Sequence, residues 1–365
     1  MNFHRASLAG KPTVNYSMSF ISYLHKAVNR ENLSIAEAHL VMDLILSGSV
    51  TTSQIAAFLV ALRMKGETAD ELVGFARSAR AKSIKVQTGI TSEPILDTCG
   101  TGGDGACTFN ISTVAAFVVA AAGVKVAKHG NRSLSSQCGS ADILEELGVN
   151  IEAAPDRIAE SIREVGIGFM WAPAMHPALK HAQPARVELK MRTAFNLLGP
   201  LVNPANPTAQ VVGAPSIRAA ELMAEALATL GLQRGYVVHG LDGLDEITTT
   251  TETRVLEIRR GAIAEHTLTP DDFGVPVANA EDLKGADKET NREITWEILQ
   301  GAKGPKRDIV LVNASVALVA AGKAATFPEG MRIAAAAIDS GAARAKLQAM
   351  AAFSNAAVGV GTPQS

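Results

Sequence analysis

An excess of charge, paired cysteines and long apolar runs are all missing from this chain. Its 365 residues hold 34 Lys and Arg against 36 Asp and Glu, a formal net charge of −2. With the basic residues spread along the sequence, there is no electrostatic footprint for nucleic acid or for an acidic membrane surface. The three cysteines, Cys99, Cys107 and Cys138, form no CxxC pair and cannot all be bridged. That argues against a disulfide framework or a zinc site and suits a reducing compartment. The longest apolar run, "VAAFVVAAAGVKV", falls short of a bilayer span and fits a buried core helix. The opening "MNFHRASLAGKPTVNYS" lacks the apolar stretch of a secretory signal. Residues 1–17 read as a loose extension, and Met18 is a second candidate start. These absences lead us to expect a soluble, cytoplasmic protein without a membrane or nucleic-acid partner.

What is present is a large apolar fraction, 47% of residues, enough for a sizeable core and for one large domain plus a small one. Residues 18–90 carry helical patterning throughout. "SIAEAHLVMDLILSG" opens with Ser34, has Glu37 three residues on as a capping box, and stops at Gly48. "TTSQIAAFLVALRMKG" repeats the design up to Gly66, and "TADELVGFARSARAKS" follows. From Pro94 the texture changes. "ILD", "VKVAKH", "IGFMWAP", "AQVVGAP" and "GYVVHG" are short β-rich runs separated by helical stretches, the alternation of an α/β domain with a largely parallel sheet. A polar helical insert at 173–192, "HPALKHAQPARVELKMR", resembles the N-terminal segment and is expected to complete the helical domain. The α/β domain then comprises 91–172 and 193–365, closed by alanine-rich helices. There is no internal repeat or low-complexity tract.

"ILDTCGTGGDGACTFNIST", Ile95 to Thr113, is the densest motif. Gly100, Gly102 and Gly105 match G-x-G-x-x-G between a predicted strand and a helix starting near Ile111. A dinucleotide fold wants an acid closing the second strand; here "VKVAKHG" ends in Lys128 and His129. The Walker pattern G-x-x-x-x-G-K-[ST] is absent as well. Glycines allow positive φ and close approach of N–H groups to an anion, and the following helix adds its free donors and dipole. Thr108, Asn110, Ser112 and Thr113 add donors at the helix start, and Lys128 arrives at the end of the adjacent strand. The set converges on a phosphate-rich ligand. Asp104 suits sugar hydroxyls, or it restrains the loop, which favours a phosphorylated sugar over free phosphate.

Two further segments belong to this pattern. "KHGNRSLSSQCGSAD" offers Lys128, Asn131, Arg132, Ser133, Ser135, Ser136 and Ser140, either as a solvated loop or, the reading we favour, as a second wall of the same site. Arg132 is equally a surface side chain on sequence alone. "YVVHGLDGLDEIT" places Asp242, Asp245 and Glu246 in a turn after a strand. Clustered acids are often just solvated; beside a polyphosphate they make a place for Mg²⁺, which binds through one or two carboxylates plus substrate phosphates.

Taken in order, GTGGD, TFNIST, KHGNR, FNLLGPLVNPA and HGLDGLDE resemble the anthranilate phosphoribosyltransferases of tryptophan biosynthesis, over nearly the whole chain after the extension. The resemblance implies an α/β fold of the nucleoside phosphorylase/phosphoribosyltransferase class IV type: a small all-helical N-terminal domain plus a larger domain with a mostly parallel central sheet flanked by helices. It also implies a homodimer with catalysis between the domains. It places phosphoribosyl pyrophosphate on Gly100, Gly103, Asp104, Thr108, Asn110, Ser112, Thr113, Lys128, Asn131, Ser136 and Ser140. Mg²⁺ falls to Ser112, Asp245 and Glu246. Anthranilate falls to Gly100, Asn131, His176 and Arg186, the last meeting its carboxylate. Association with an anthranilate synthase subunit is left open. Two departures stand out: Gln137 where such proteins carry Lys, and Lys190 where they have Gly.

The implied reaction displaces pyrophosphate from ribose C1 by the amine of anthranilate. Negative charge builds on the leaving group, so fixed donors aimed there matter most, each at about 3–4 kcal/mol. An aromatic amine is already neutral, so no strong general base is required. Arg186 would orient the acceptor as a bidentate fork; on sequence alone it is equally a surface cation paired with Glu188. The alternatives are a pyrimidine nucleoside phosphorylase-like enzyme and a non-catalytic nucleic-acid-binding relative, the latter disfavoured by the near-neutral charge.

Overall fold

The computed structural model describes residues 19–102, 105–133 and 138–356. Gly103, Asp104, Ser135, Ser136 and Gln137, together with the N-terminal extension and Met18, lie outside the described residues.

The N-terminal part is four helices, α1 (Phe20–Val28), α2 (Ile35–Leu46), α3 (Thr52–Lys65) and α4 (Ala69–Ala81). Ser34, Thr51 and Thr68 each accept the N–H three residues on, and Glu37, Gln54 and Glu71 return the bond, so three successive helices open on capping boxes. Each cap is worth about 1 kcal/mol, which is why the sequence alone marks these starts. Glu71 does more than cap. Its fully buried carboxylate also accepts the Leu33 N–H at 2.9 Å and the Lys65 ammonium at 3.0 Å, tying the α1–α2 connection to the α3–α4 connection. Gly74 lets α4 lie directly on α2, since a side chain there would run into Ala38 and the Ile35 carbonyl.

The larger part is a seven-stranded sheet: β1 (Ile95–Gly100), β2 (Lys125–Gly130), β3 (Ile167–Trp171), β4 (Ala209–Gly213), β5 (Arg234–Gly240), β6 (Thr253–Arg259) and β7 (Ala262–Leu268). Their spatial order is β3-β2-β1-β4-β5-β6-β7. The first five are parallel, while β6 and β7 run antiparallel as a hairpin that the sequence reading did not anticipate. Its two-residue turn is Arg260–Gly261, both with positive φ, as the tightest hairpins require.

Side chains alternate across the sheet as a pleated strand dictates. Leu96, Val126, Val211, Tyr236 and Val238 face one core with α5 (Ile111–Ala121) and residues of the C-terminal helices. Val212 and Val237 face another, shared with the N-terminal helices. Between these strands the chain forms α6 (Ser140–Glu146), α7 (Pro155–Glu164), α8 (Ala172–Met175), α9 (Gln183–Leu189), α10 (Phe195–Leu198) and α11 (Ile217–Thr229). After them come α12 (Lys288–Leu299), α13 (Pro305–Ala320), α14 (Phe327–Asp339) and α15 (Ala342–Asn355). α9 packs on α3, and its Ala182 and Ala185 flank share a core with the N-terminal helices.

Candidate active site

Successive connections from β1 run outward through β2 to β3, whereas β4 lies on the other side of β1. The order therefore reverses between β1 and β4, and open α/β sheets bind ligands at the carboxyl ends of strands at such a point. Four of the strands there, β1, β2, β4 and β5, end in glycine: Gly100, Gly130, Gly213 and Gly240. A side chain on Gly100 would overlap the Asp245 carboxylate, and one on Gly213 the Asp245 backbone. One on Gly130 would meet Ser140 Oγ, and one on Gly240 the Asp242 carboxylate. The strand ends are bare so that the acidic turn and the start of α6 can close onto them.

That closure brings most of the singled-out residues together. Asp245 Oδ2 accepts the Gly102 N–H at 2.8 Å, and Glu246 Oε1 accepts the Ser112 N–H in the first turn of α5 at 3.1 Å. Both acids sit where amides and helix dipole favour negative charge. Lys128, only 3% exposed, donates to the Thr98 carbonyl at 2.6 Å and lies 3.4 Å from Ser112 Oγ. Burial lowers the pKa of this ammonium below the usual lysine range, opposed chiefly by the nearby Asp97 carboxylate. Asn110 Nδ2 donates to the Cys138 carbonyl at 3.1 Å, joining the two polar loops. The Asn131 carbonyl accepts from Ser140 Oγ at 3.2 Å, and Asn131 Oδ1 from the Arg132 N–H at 2.8 Å. Arg132 itself is a staple of its own loop, paired with Asp142 at 3.0 Å and Glu145 at 2.8 Å.

Other singled-out residues are placed differently. Thr113 is buried, with its N–H donating to the Asn110 carbonyl at 3.1 Å. Thr108 meets Lys284 in an isolated backbone bridge. His176 and His129 are both buried, their rings edge-to-face with centroids 5.2 Å apart, and His129 Nδ1 lies 3.2 Å from the Gly199 carbonyl. Burial, with His129 and Lys85 adding to it, holds His176 down at about 3, so it is neutral at pH 7. Arg186 projects from the last turn of α9, with its guanidinium carbon 5.2 Å from the Phe195 ring centroid. Burial lowers its pKa, and among the described residues it forms no ion pair, with Glu188 or any other acid. Its hydrogen-bond partner is the Gln183 amide at 3.5 Å. Arg192, not Arg186, reaches the glycine loop, donating to the Gly102 carbonyl at 2.6 Å. Lys190 closes α9 in the left-handed region, φ 47°, the conformation for which glycine is the usual residue.

Several residues that the sequence did not advertise support the site. Asp97, fully buried in β1, accepts the His129 N–H at 3.2 Å and the Asn203 amide at 2.8 Å. Asn203 also donates to the Ala127 carbonyl at 2.9 Å, so the pair locks β2 on either side of Lys128. Asn291 on α12 donates to Asn110 Oδ1 at 3.3 Å. Asn313 on α13 holds Ile247, next to Glu246. Only their partners, distant in sequence, distinguish these amides from surface ones.

The donors also suit a magnesium ion. Asp245 and Glu246 present hard carboxylate oxygens on one turn, and among the described residues no cluster of three or more His, Cys, Asp or Glu forms an all-protein cage. Mg²⁺ is typically held by one or two carboxylates completed by substrate phosphates and water.

The comparisons agree with this architecture. Residues 21–83 match the family described as "Glycosyl transferase family, helical bundle domain", and residues 92–344 match "Glycosyl transferase family, a/b domain". Fold and site thus define a glycosyl transferase with a helical bundle beside its α/β domain. The anthranilate phosphoribosyltransferase of Solibacter usitatus (strain Ellin6076) is 62% identical over 336 residues, 92% of this chain and 99% of that protein. The crystal structure of anthranilate phosphoribosyltransferase from Thermus thermophilus superposes with a TM-score of 0.86 at 44% identity, covering 92% of this chain and 99% of that one. The Saccharomyces cerevisiae enzyme in complex with PRPP and Mg gives 0.85 at 27% identity, covering 92% and 97%. The chain belongs to the anthranilate phosphoribosyltransferase family.

Proposed function

We propose that this chain transfers the phosphoribosyl group of 5-phosphoribosyl 1-pyrophosphate to the amine of anthranilate, releasing pyrophosphate. The observation that carries the reading is the convergence, at the side-chain-free ends of β1 and β4, of the glycine loop, the α5 N-terminus, the buried Lys128 and the Asp245–Glu246 turn. A buried ammonium, a helix N-terminus and a pair of metal-capable carboxylates at one place suit a leaving diphosphate with its metal ion, and family membership supplies the acceptor.

In the displacement, the C1–O bond breaks with its electron pair going to the diphosphate, while the amine lone pair forms the C1–N bond. The extra proton leaves nitrogen afterwards. The Lys128 ammonium and the dipole of the α5 N-terminus stabilise the growing negative charge. Thr108, Asn110, Asn131, Ser136 and Ser140, with Gly103 and Asp104, complete the phosphoribosyl site. Asp245 and Glu246, assisted by Ser112, would hold Mg²⁺, whose charge would offset that developing on the leaving group. Arg186 takes the anthranilate carboxylate. Its location supports this: a half-buried guanidinium without an acidic partner among the described residues retains its capacity to bind one. His176, neutral and buried against His129, would back the anthranilate site and carry no charge to it. The 173–192 insert completes the helical domain, and the protein works as a cytoplasmic homodimer.

The test mixes the purified protein with anthranilate, phosphoribosyl pyrophosphate and Mg²⁺ and follows anthranilate fluorescence. A fall that requires all three components is expected, and Arg186→Ala should raise KM for anthranilate with little change in that for the sugar donor. Unchanged fluorescence together with phosphate-driven cleavage of a pyrimidine nucleoside would replace this reading by the phosphorylase one.

A further inference from the structure

We infer that Asn313 is a positioning residue for the acidic turn, setting the aim of Asp245 and Glu246 through the backbone of Ile247. This rests on the reading of those two acids as the metal carboxylates. Asn313 lies in the middle of α13, a helix whose neighbouring positions Ile309 to Val312 and Ala314 to Val316 are buried and mostly apolar. A buried amide among them is costly unless every polar atom is paired.

The pairing is specific. Asn313 Oδ1 accepts the Ile247 N–H at 3.0 Å, and Nδ2 donates to the Ile247 carbonyl at 2.9 Å and to the Ile309 carbonyl at 2.9 Å. One side chain therefore satisfies both backbone groups of the residue that follows Glu246. The opposite amide orientation would set Oδ1 against two carbonyl oxygens, so only this one is stable. Asn313 also lines, with Thr98, Ser112, Gly213 and Glu246, the small cavity beneath the turn.

The rest of the turn is held from within. Asp242 accepts the Leu244 N–H at 3.2 Å and the Thr248 hydroxyl at 2.6 Å. The chain is thus anchored at 244 and 248 by Asp242 and at 247 by Asn313. Asp245 and Glu246 remain to face Gly102 and Ser112. Without Asn313, the segment carrying Glu246 loses the pair of bonds that ties its backbone to α13.

The test compares wild type with Asn313→Ala, Asn313→Leu and, as a packing control on the same helix, Leu311→Ala. Binding of Mg²⁺ is read by calorimetric titration with pyrophosphate present, beside the Mg²⁺ dependence of turnover and the melting temperature. Loss of outer partners of metal ligands typically weakens affinity about 10–100-fold, and Asn313, which bonds the residue beside Glu246, should act at the low end, about 10-fold. Both Asn313 variants should shift the Mg²⁺ titration by that factor while turnover at saturating Mg²⁺ stays within a few-fold; Asn313→Leu, which keeps the side-chain volume, serves if the alanine variant does not fold. Leu311→Ala should lower the melting temperature and leave the titration in place. An unshifted titration in the Asn313 variants, or an equal shift in Leu311→Ala, overturns the inference. Asp245→Asn with Glu246→Gln separates the two layers. If that pair leaves the titration unchanged the metal reading itself fails, and if it shifts while the Asn313 variants do not, only the role of Asn313 fails.

Discussion

The buried histidine pair should write itself into the pH dependence of stability. His176 is 3% exposed, its ring packs edge-on against His129, and its pKa is held at about 3 against an ordinary 6.5. Because the folded value lies below the unfolded one, the unfolded chain takes up the proton first as pH falls. The His176 contribution is fully present above about pH 7 and declines through the window from about 6.5 to about 3, with a limiting slope of about 1.4 kcal/mol per pH unit. Between pH 7.5 and 5.5, His176 alone should cost about 1.4 kcal/mol, and the whole window about 5 kcal/mol. His129, also lowered by burial, acts in the same direction. Denaturant unfolding of wild type and His176→Gln at both pH values is the assay. Gln cannot titrate, so the variant should lose about 1.4 kcal/mol less than wild type on acidification, whatever its stability at pH 7.5. Parallel losses in the two proteins would refute the claim that this imidazole is held neutral by burial.

Lys128→Met should lower kcat/KM on the order of 10²–10³-fold, the effect of losing one well-aimed donor. The fold should survive, because the bond to the Thr98 carbonyl that is lost is worth about 1–3 kcal/mol; steady-state kinetics beside a denaturation curve check both halves. Gly100→Ala introduces a methyl into the space of the Asp245 carboxylate. It should cost about 1–3 kcal/mol of stability as an overpacked site and raise the Mg²⁺ requirement, read from unfolding and a metal titration. Gly102→Ala, whose φ of 64° is strained but whose side-chain space is open, should cost about 1–2 kcal/mol without displacing that acid.

Much of this protein was legible before its structure, and for local reasons. The starts of α2, α3 and α4 follow from Ser34–Glu37, Thr51–Gln54 and Thr68–Glu71, bonds between residues three apart that any sequence displays openly. The five parallel strands announce themselves as short apolar runs, and the glycine loop and acidic turn by composition. The β6–β7 hairpin was present as Arg260–Gly261, but β7, AIAEHTL, is exposed at six of its seven positions and shows no regular apolar alternation. Only the tertiary structure decided that β4 pairs with β1, so that Gly100 and Gly213 stand together under Asp245. Only it selected Asp97, Asn203, Arg192, Asn291 and Asn313 from many ordinary polar residues. Hydrogen bonds between residues far apart in the chain are set by how helices and sheet pack, and no short-range pattern encodes that.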